Sequence, residues 1–284
     1  MPMAVKSGSG LSVLIGAVAV VSSIGITSVL ALPSWRHLIL AYLALFIVLV
    51  IFITTRHIQV MSRRRAMRVT TPGARRRAID YCLFVLGSGG HTKEMLMMMD
   101  DGYTNFANFH RRYLLSSGDT MSENHLEQYE ADLKTLCDGN DQSSGTYDKC
   151  VVARARRVHQ PLWSTPFTSL LSILDIFPVL LSAPTNKVGN EVRYPTYIFS
   201  NGPATGFFVA MAVYLLKMFY IVPENAMRFI YIESWARIST LSLTGKLLYY
   251  TGLADIFLVQ HTVVAAKYGV GNAGEMVFNS RRPE

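Results

Sequence analysis

The chain reads Val85-Leu86-Gly87-Ser88-Gly89-Gly90-His91-Thr92-Lys93-Glu94-Met95 directly after an apolar run that begins at Tyr81. The apolar run has the composition of a buried β-strand, and residues 95–99 favour a helix. A glycine loop between a strand and a helix turns backbone N–H groups and the positive end of the helix toward a ligand. The pattern predicts a phosphate or diphosphate site, although three glycines can also make a tight turn that binds nothing.

Beyond Asp80, short β-type runs alternate with helical segments. Alternation of this kind predicts an α/β domain with one doubly wound, Rossmann-like parallel sheet that binds ligands at the carboxyl ends of its strands. Residues 138–148 are rich in Gly, Ser, Asn and Asp and predict a surface loop. The predicted strands are 81–86, 112–116, 150–154, 196–200, 229–233 and 255–259, and the predicted helices are 92–99, 122–137, 168–181, 205–218 and 241–250.

The N-terminal part predicts a membrane anchor at residues 1–55. Residues 11–32 and 38–54 carry no charge, and helices of these lengths can cross the hydrocarbon core of a bilayer. We prefer a hairpin of two spans. The alternative is one true span, with the other run lying at the interface or serving as a signal sequence.

Basic residues are concentrated just after this anchor. The chain has 27 Lys plus Arg against 19 Asp plus Glu, and eight arginines lie between Arg56 and Arg77, where no acidic residue occurs. The remaining chain is neutral, which argues against a nucleic-acid-binding domain. The segment predicts a basic cytosolic linker at 56–79 that sets the topology and contacts anionic lipids, with the folded part on the cytosolic side.

Two later segments are unusually apolar for an α/β domain. Residues 167–183 carry one charge, Asp175, and residues 206–222 carry only Lys217. We expect helices that cover the sheet and expose an edge to the membrane, and ordinary core helices are the alternative.

Metal and cofactor chemistry have little support in the sequence. The three cysteines, Cys82, Cys137 and Cys150, form no Cys-x-x-Cys pair, and no Asp-x-Asp pair occurs. The glycine loop fits neither a Walker A motif nor a complete dinucleotide fingerprint, because Thr92 stands where the third glycine would be. Asp119 nevertheless follows the second predicted strand, so an NAD-dependent oxidoreductase remains the alternative class.

Candidate site residues follow the predicted strands. His91 begins the first helix, where the helix dipole favours a neutral ring that can accept a proton, although it can also only cap the turn. Glu94 can act beside it or simply complement the dipole. Asn201 and Gly202 form a turn after the fourth strand. The fifth strand ends at Glu233, Ser234 and Arg237, where Arg237 suits a phosphate and could instead pair with Glu233.

Several motifs occur together in one order along residues 81–260, and with them the chain resembles the asparagine-linked glycosylation protein 14 family. The resemblance implies half of a two-domain GT-B glycosyltransferase. These motifs are Leu86 to Met95, Ser200-Asn201-Gly202-Pro203, Tyr231-Ile232-Glu233-Ser234 with Arg237, Leu241 to Tyr249 and Ala254 to Gln260.

The resemblance also implies a function for the whole chain. The family anchors and completes a UDP-GlcNAc transferase that adds the second GlcNAc to dolichyl-diphosphate-GlcNAc, using a soluble catalytic subunit that binds the donor. We therefore expect an endoplasmic reticulum or nuclear-envelope protein, inactive alone, with an acceptor-side domain at 80–260 and a partner-docking tail at 261–284. The expected catalytic residues are His91 and Glu94, and the expected diphosphate-binding residues are Gly87, Ser88, Gly89, Gly90, Asn201, Gly202, Glu233, Ser234 and Arg237.

Overall fold

The computed structural model describes residues 19, 20, 23, 35–69, 80–99, 106, 108–154, 165–202, 204–274 and 276. The chain forms two compact units, one of Met1–Arg64 with Leu216–Glu224 and one of Arg65–Leu215 with Asn225–Glu284. The first predicted span, at 11–32, lies outside the described residues apart from three positions.

The first unit is built on helix α1, Trp35–Val69. Its part His37–Arg64 is long and apolar enough to cross a membrane. At about 1.5 Å per residue, the 35 residues of α1 extend about 52 Å, whereas a hydrocarbon core is about 30 Å thick. The helix is therefore longer than one span requires, and the predicted linker at 56–79 is helical up to Val69.

The second unit contains a seven-stranded parallel sheet in the order β3-β2-β1-β4-β5-β6-β7, which confirms the predicted fold class. Val85 of β1 lies beside Leu114 of β2 and Ser200 of β4. The connections after β1 and β4 run in opposite directions, so a crevice opens between the ends of these neighbouring strands. The strands are β1 Asp80–Val85, β2 Phe109–Ser116, β3 Thr146–Val152, β4 Tyr197–Ser200, β5 Arg228–Ile232, β6 Ile256–Val259 and β7 Gly271–Asn272.

Helices pack on both faces of this sheet. Consecutive residues of β2 point to opposite faces, and each contacts a different helical segment. Arg111 pairs with Glu130 of α3 at 2.8 Å, while Arg112 donates to the carbonyl oxygen of Ser182, just beyond α4, at 2.7 Å. Right-handed crossovers place α2 and α3 on one face and α4, α6 and α7 on the other. The helices are α2 Gly90–Met99, α3 Thr120–Gly139, α4 Thr165–Leu181, α5 Lys187–Glu191, α6 Ala204–Met218, α7 Leu243–Thr251 and α8 Thr262–Tyr268.

Two strands begin earlier than the sequence pattern predicts. β2 begins at Phe109 and β3 at Thr146, so the predicted loop at 138–148 is wrong at its end. Both strands carry charged residues near their start, which the sequence pattern does not associate with a buried strand. Arg112 is buried and its guanidinium pairs with the Asp148 carboxylate at 2.6 Å. A buried charge is tolerated when a partner of opposite charge is this close, and such a partner is invisible in the local pattern.

The sheet unit continues beyond the predicted boundary at Gln260. Helix α8 follows β6, and β7 pairs with β6 through Val259 and Asn272. Val264, which lies in the predicted partner-docking tail at 261–284, is fully buried. Residues 262–272 therefore belong to the sheet unit, and Val277 and Phe278 of the predicted tail lie outside the described residues.

The two apolar helices differ in exposure. In α6, Val209 and Val213 are completely buried, as in an ordinary core helix. In α4, Leu170, Leu171 and Leu174 are exposed. The predicted membrane-facing edge remains a prediction for α4.

The basic residues that follow the uncharged run at 38–54 do not all serve the predicted role of lipid contact. Arg56 is buried in the first unit, where its guanidinium donates to the carbonyl oxygens of Lys217 at 2.7 Å and Met218 at 3.1 Å. It also pairs with Glu224 at 3.3 Å. The lipid interpretation is wrong for Arg56, because the last carbonyl groups of α6 lack helical partners and accept its hydrogen bonds.

Candidate active site

Four strand ends meet at the crevice beside β1 and β4. The glycine loop follows β1, Asn201 and Gly202 follow β4, residues 233–237 follow β5, and Gln260 follows β6. The carboxyl edge of a doubly wound sheet is where such folds bind ligands. The candidate site therefore lies where the strand-end motifs predict.

The glycine loop is held from inside by Ser122 of α3. The carbonyl oxygen of Gly87 accepts hydrogen bonds from the hydroxyls of Thr92 and Ser122, the latter at 2.6 Å. The amide of Gly89 donates to Ser122 Oγ at 3.2 Å, and Gly89 has a φ of +49°, which a side chain adopts reluctantly. Ser88 stays exposed at the tip of the loop. A ligand can thus reach the tip of the loop, and the predicted ligand contact of Gly87 stays a prediction.

Glu94 is the buried centre of the site. Its carboxylate accepts hydrogen bonds from the backbone N–H of Trp235 at 2.6 Å, the hydroxyl of Ser234 at 2.9 Å and the side-chain amide of Gln260 at 2.9 Å. Burial raises the pKa of Glu94, but the neighbouring His91 and these three hydrogen bonds outweigh burial and lower it below the ordinary value. The carboxylate is therefore ionised at neutral pH and joins three strand ends.

His91 lies at the rim of the crevice, with 36% of its side chain exposed. Its Nδ1 atom is buried and lies 3.7 Å from Glu94 Oε2, longer than a hydrogen bond. A carboxylate on the Nδ1 side favours a proton on that nitrogen and leaves the Nε2 lone pair to accept another. Catalytic hydrogen bonds often tighten only when substrate binds. The arrangement suits a general base.

The turn after β4 holds His91 in place. Asn201 is fully buried, and its side-chain amide donates to the carbonyl oxygen of His91 at 2.7 Å. A Cβ atom on Gly202 would lie 2.9 Å from His91 Cε1, so only glycine lets the imidazole pack against this turn. Gly202 also has a φ of +125°, which glycine adopts without strain.

The loop after β5 is organised by Glu233. One carboxylate oxygen accepts from the Tyr231 hydroxyl and the Ser234 amide, each at 3.1 Å, and the other accepts from the Ser242 amide at 3.0 Å. Gly245 allows this packing, because a Cβ atom there would lie 2.0 Å from Glu233 Oε2. Glu233 therefore shapes the loop, and its predicted contact with a diphosphate stays a prediction.

Arg237 ends the same loop and is exposed. In the part of the chain that the structure describes, it forms no ion pair with Glu233, which was the alternative to a phosphate contact. Its guanidinium is thus accessible to an anionic ligand. Of the predicted binding side chains, Ser88 and Arg237 are open, whereas Asn201, Glu233 and Ser234 are buried and already engaged.

Sequence reasoning assigned no role to two residues that complete the site. Ser122 lies three residues after Asp119, the N-cap residue of α3. The Asp119 carboxylate accepts a hydrogen bond from the backbone N–H of Ser122 at 3.1 Å. Gln260 bridges Glu94 and the carbonyl oxygen of Glu233, at 2.9 and 3.0 Å. An amide directly after a predicted strand is the signal that could have identified Gln260. The capping role also explains Asp119, which we considered as a ribose-binding acid.

Within the described ranges, no group of three or more His, Cys, Asp or Glu side chains could hold a metal ion. The groups that the crevice presents are one imidazole, one buried carboxylate, loop amides and one exposed guanidinium. These groups can bind an anion and move a proton.

Comparison with known proteins identifies several relatives of this chain. The chain is 33% identical over 186 residues to the UDP-N-acetylglucosamine transferase subunit ALG14 of Debaryomyces hansenii, covering 66% of this chain and 71% of that protein. It is 32% identical over 189 residues to the subunit of the same name from Homo sapiens, covering 66% and 77%. The Schizosaccharomyces pombe subunit is 34% identical over 191 residues, covering 66% and 79%. The solved structure of MurG from Acinetobacter baumannii has 14% identity and a TM-score of 0.38, covering 65% of this chain and 43% of that chain.

With its long apolar helix α1, the chain is a membrane protein. Residues 82–273 match the family described as oligosaccharide biosynthesis protein Alg14 like, and this range includes the glycine loop, the turn after β4 and the buried network around Glu94. The chain belongs to the Alg14-like family.

Proposed function

We propose that this chain is the membrane-anchoring and acceptor-binding subunit of a two-subunit UDP-GlcNAc transferase. The transferase adds the second GlcNAc to dolichyl-diphosphate-GlcNAc on the cytosolic face of the endoplasmic reticulum membrane. The relatives are named as transferase subunits, which supports a role in a glycosyltransferase complex. The observation that carries the proposal is His91 beside the buried Glu94, at the end of a glycine loop.

The crevice groups divide between binding and proton transfer. Ser88 and the N-terminus of α2 receive the acceptor diphosphate, and Arg237 contributes a second cationic contact. His91 Nε2 takes the proton of the acceptor hydroxyl as the new oxygen–carbon bond forms and the bond from the sugar to UDP breaks. Glu94 stabilises the imidazolium that results.

A second protein must supply the donor site. The sheet unit is one doubly wound domain of a size at the upper end for a single domain. Its crevice is formed around the acceptor-side groups, and transfer from a sugar nucleotide in a GT-B arrangement takes place between two such domains. The chain is therefore inactive alone and recruits a soluble catalytic subunit to the membrane.

Reconstitution tests this proposal. Purified chain in vesicles is mixed with UDP-GlcNAc and a phytanyl-diphosphate-GlcNAc acceptor, with and without the catalytic subunit. Transfer should require both proteins, and His91→Ala should abolish most of it while membrane insertion is retained. His125→Ala, a partly exposed histidine of α3, is the matched control. Transfer by the chain alone, or full activity of His91→Ala, would contradict the proposal. Saturable NADH binding would favour the oxidoreductase instead.

The predicted docking of the catalytic subunit on the C-terminal tail also needs a test. Deleting the chain beyond Gln260 is unsuitable, because the deletion would remove the buried Val264 and strand β7 from the sheet unit. Val263 is 63% exposed on α8 and is the better probe. If α8 contributes to docking, Val263→Asp should reduce co-purification of the subunit, whereas Lys267→Ala should not. Unchanged recruitment would direct the search to the loops at Asn201 and Arg237.

A further inference from the structure

The end of α6 carries an apolar turn that contacts the spanning helix within the first unit. Phe219 and Ile221 are 46% and 53% exposed, although both are large apolar side chains. The ring of Phe219 lies 6.2 Å from that of Phe52, centroid to centroid. Phe52 belongs to the uncharged part of α1 and lies one turn, about 6 Å, before Arg56. The turn is therefore level with residues that a bilayer would surround.

The backbone of this turn is set by a specific cap. Ile221 N–H donates to the carbonyl oxygen of Leu216 at 2.9 Å and Tyr220 N–H donates to that of Lys217 at 3.3 Å, the pattern of a Schellman motif. Tyr220 takes the left-handed position with a φ of 59°, where glycine is usual. Phe219 and Ile221 flank this position on either side.

Arg56 holds the cap to α1. Its guanidinium lies 3.6 Å from the centre of the Tyr220 ring and donates to the carbonyl oxygens of Lys217 and Met218. Glu224 pairs with Arg56 at 3.3 Å and also accepts from Arg63 at 2.5 Å. Arg56 is only 2% exposed, so this charge is satisfied by protein groups rather than by water or lipid headgroups. An arginine that is paired with a carboxylate and hydrogen-bonded to backbone carbonyl oxygens can lie near the hydrocarbon boundary at a reduced cost.

We propose that Phe219 and Ile221 form a second membrane contact, inserted among the acyl chains of the bilayer that α1 crosses. Exposed large apolar side chains beside a spanning helix, at the depth of its uncharged residues, are covered by lipid when the helix is in the membrane. Arg56 is the positioning residue that fixes the turn at this depth. The inference stands independently of the proposed transferase function.

Site-directed fluorescence tests the contact in the full chain. A polarity-sensitive nitrobenzoxadiazole label is attached at Ile221→Cys, in a Cys150→Ser background that retains the buried Cys82 and Cys137. The chain is placed in phosphatidylcholine vesicles with and without brominated acyl chains. Phe46→Cys, in the middle of the span, provides the lipid reference, and Ser62→Cys, beyond Arg56, provides the aqueous reference.

The label at position 221 should emit at the blue-shifted wavelength of the Phe46 position and lose fluorescence in brominated vesicles. Emission like that of the Ser62 position, without quenching, would overturn the membrane contact. Adding Arg56→Gln should shift the label at position 221 toward the aqueous reference, while Arg63→Gln, at an exposed arginine, should not. An unchanged signal in Arg56→Gln would overturn the positioning role. Flotation of each variant with the vesicles confirms insertion.

Discussion

Replacing Glu94 with glutamine separates its structural role from the role in proton transfer that we propose for it. Glutamine has nearly the same shape as glutamate. Its side-chain oxygen can still accept from Trp235 and Gln260, while its NH2 group donates to the hydroxyl oxygen of Ser234. A hydrogen bond to a charged acceptor contributes about 1.5–3 kcal/mol, and a neutral one about 0.5–1.5 kcal/mol. Glu94→Gln weakens three hydrogen bonds of 2.6–2.9 Å, but it also removes the cost of burying a charge. The free energy of unfolding should therefore fall by about 1–3 kcal/mol.

Alanine at the same position should cost more. Glu94→Ala removes the acceptor of the Ser234 hydroxyl and of the Trp235 backbone N–H, at about 1–3 kcal/mol for each donor, whereas the Gln260 amide keeps its hydrogen bond to the carbonyl oxygen of Glu233. We expect a loss of about 3–5 kcal/mol, measured by denaturant unfolding in detergent micelles. Glu123→Gln, at an exposed residue of α3, is the control and should be neutral.

Activity should respond to the lost charge even where stability is largely kept. At 3.7 Å and an effective dielectric constant of about 20, a carboxylate stabilises an imidazolium by about 4 kcal/mol. Because 36% of the His91 side chain is exposed, screening reduces this to about 1–2 kcal/mol, or about tenfold in rate. Glu94→Gln should therefore slow transfer about tenfold in the reconstituted complex.

The pH dependence gives an independent check. Since the pKa of Glu94 is lowered in the folded protein, its stabilising contribution is fully present above the ordinary value of 4.5 and is lost as the pH falls through the folded pKa. The stability difference between the wild-type chain and Glu94→Gln should shrink over that acidic range. A pH-independent difference, or full transfer activity of Glu94→Gln, would refute the reasoning.

Two further changes test other parts of the sheet unit. Gly202→Ala should displace the His91 ring, because the alanine Cβ would lie 2.9 Å from His91 Cε1. The change should reduce transfer and lower the free energy of unfolding by about 1–3 kcal/mol. Activity equal to wild type would show that the ring position is not required. Burial raises the pKa of Asp148, but His110 and Arg112 outweigh it and lower the pKa to about 2. Its contribution of about 2 kcal/mol should be complete above pH 3.8 and vanish near pH 2, so unfolding of wild type and Asp148→Asn should converge there.

Local pattern alone predicted the class of fold, which the structure confirms, and the strand ends at which the candidate site lies. Strand-type runs, helical runs and the glycine loop each depend on the preferences of neighbouring residues, and a parallel sheet follows from their alternation. In the structure, the order of the strands brings the ends of β1 and β4 together, and with them His91 and Asn201.

Only the tertiary structure decided what the charged and polar residues contact. Arg56 looked like one member of a lipid-binding run, yet it is buried because α6 ends beside it with carbonyl groups to satisfy. Glu94 looked like a free acid in a first helical turn, yet donors from the ends of β5 and β6 occupy it. Partners such as Gln260 are distant in sequence, and periodicity carries no information about contacts of that range. Local preferences of neighbouring residues therefore determine the fold class. The role of each charged residue depends instead on the sequence-distant groups that the fold brings within hydrogen-bond distance.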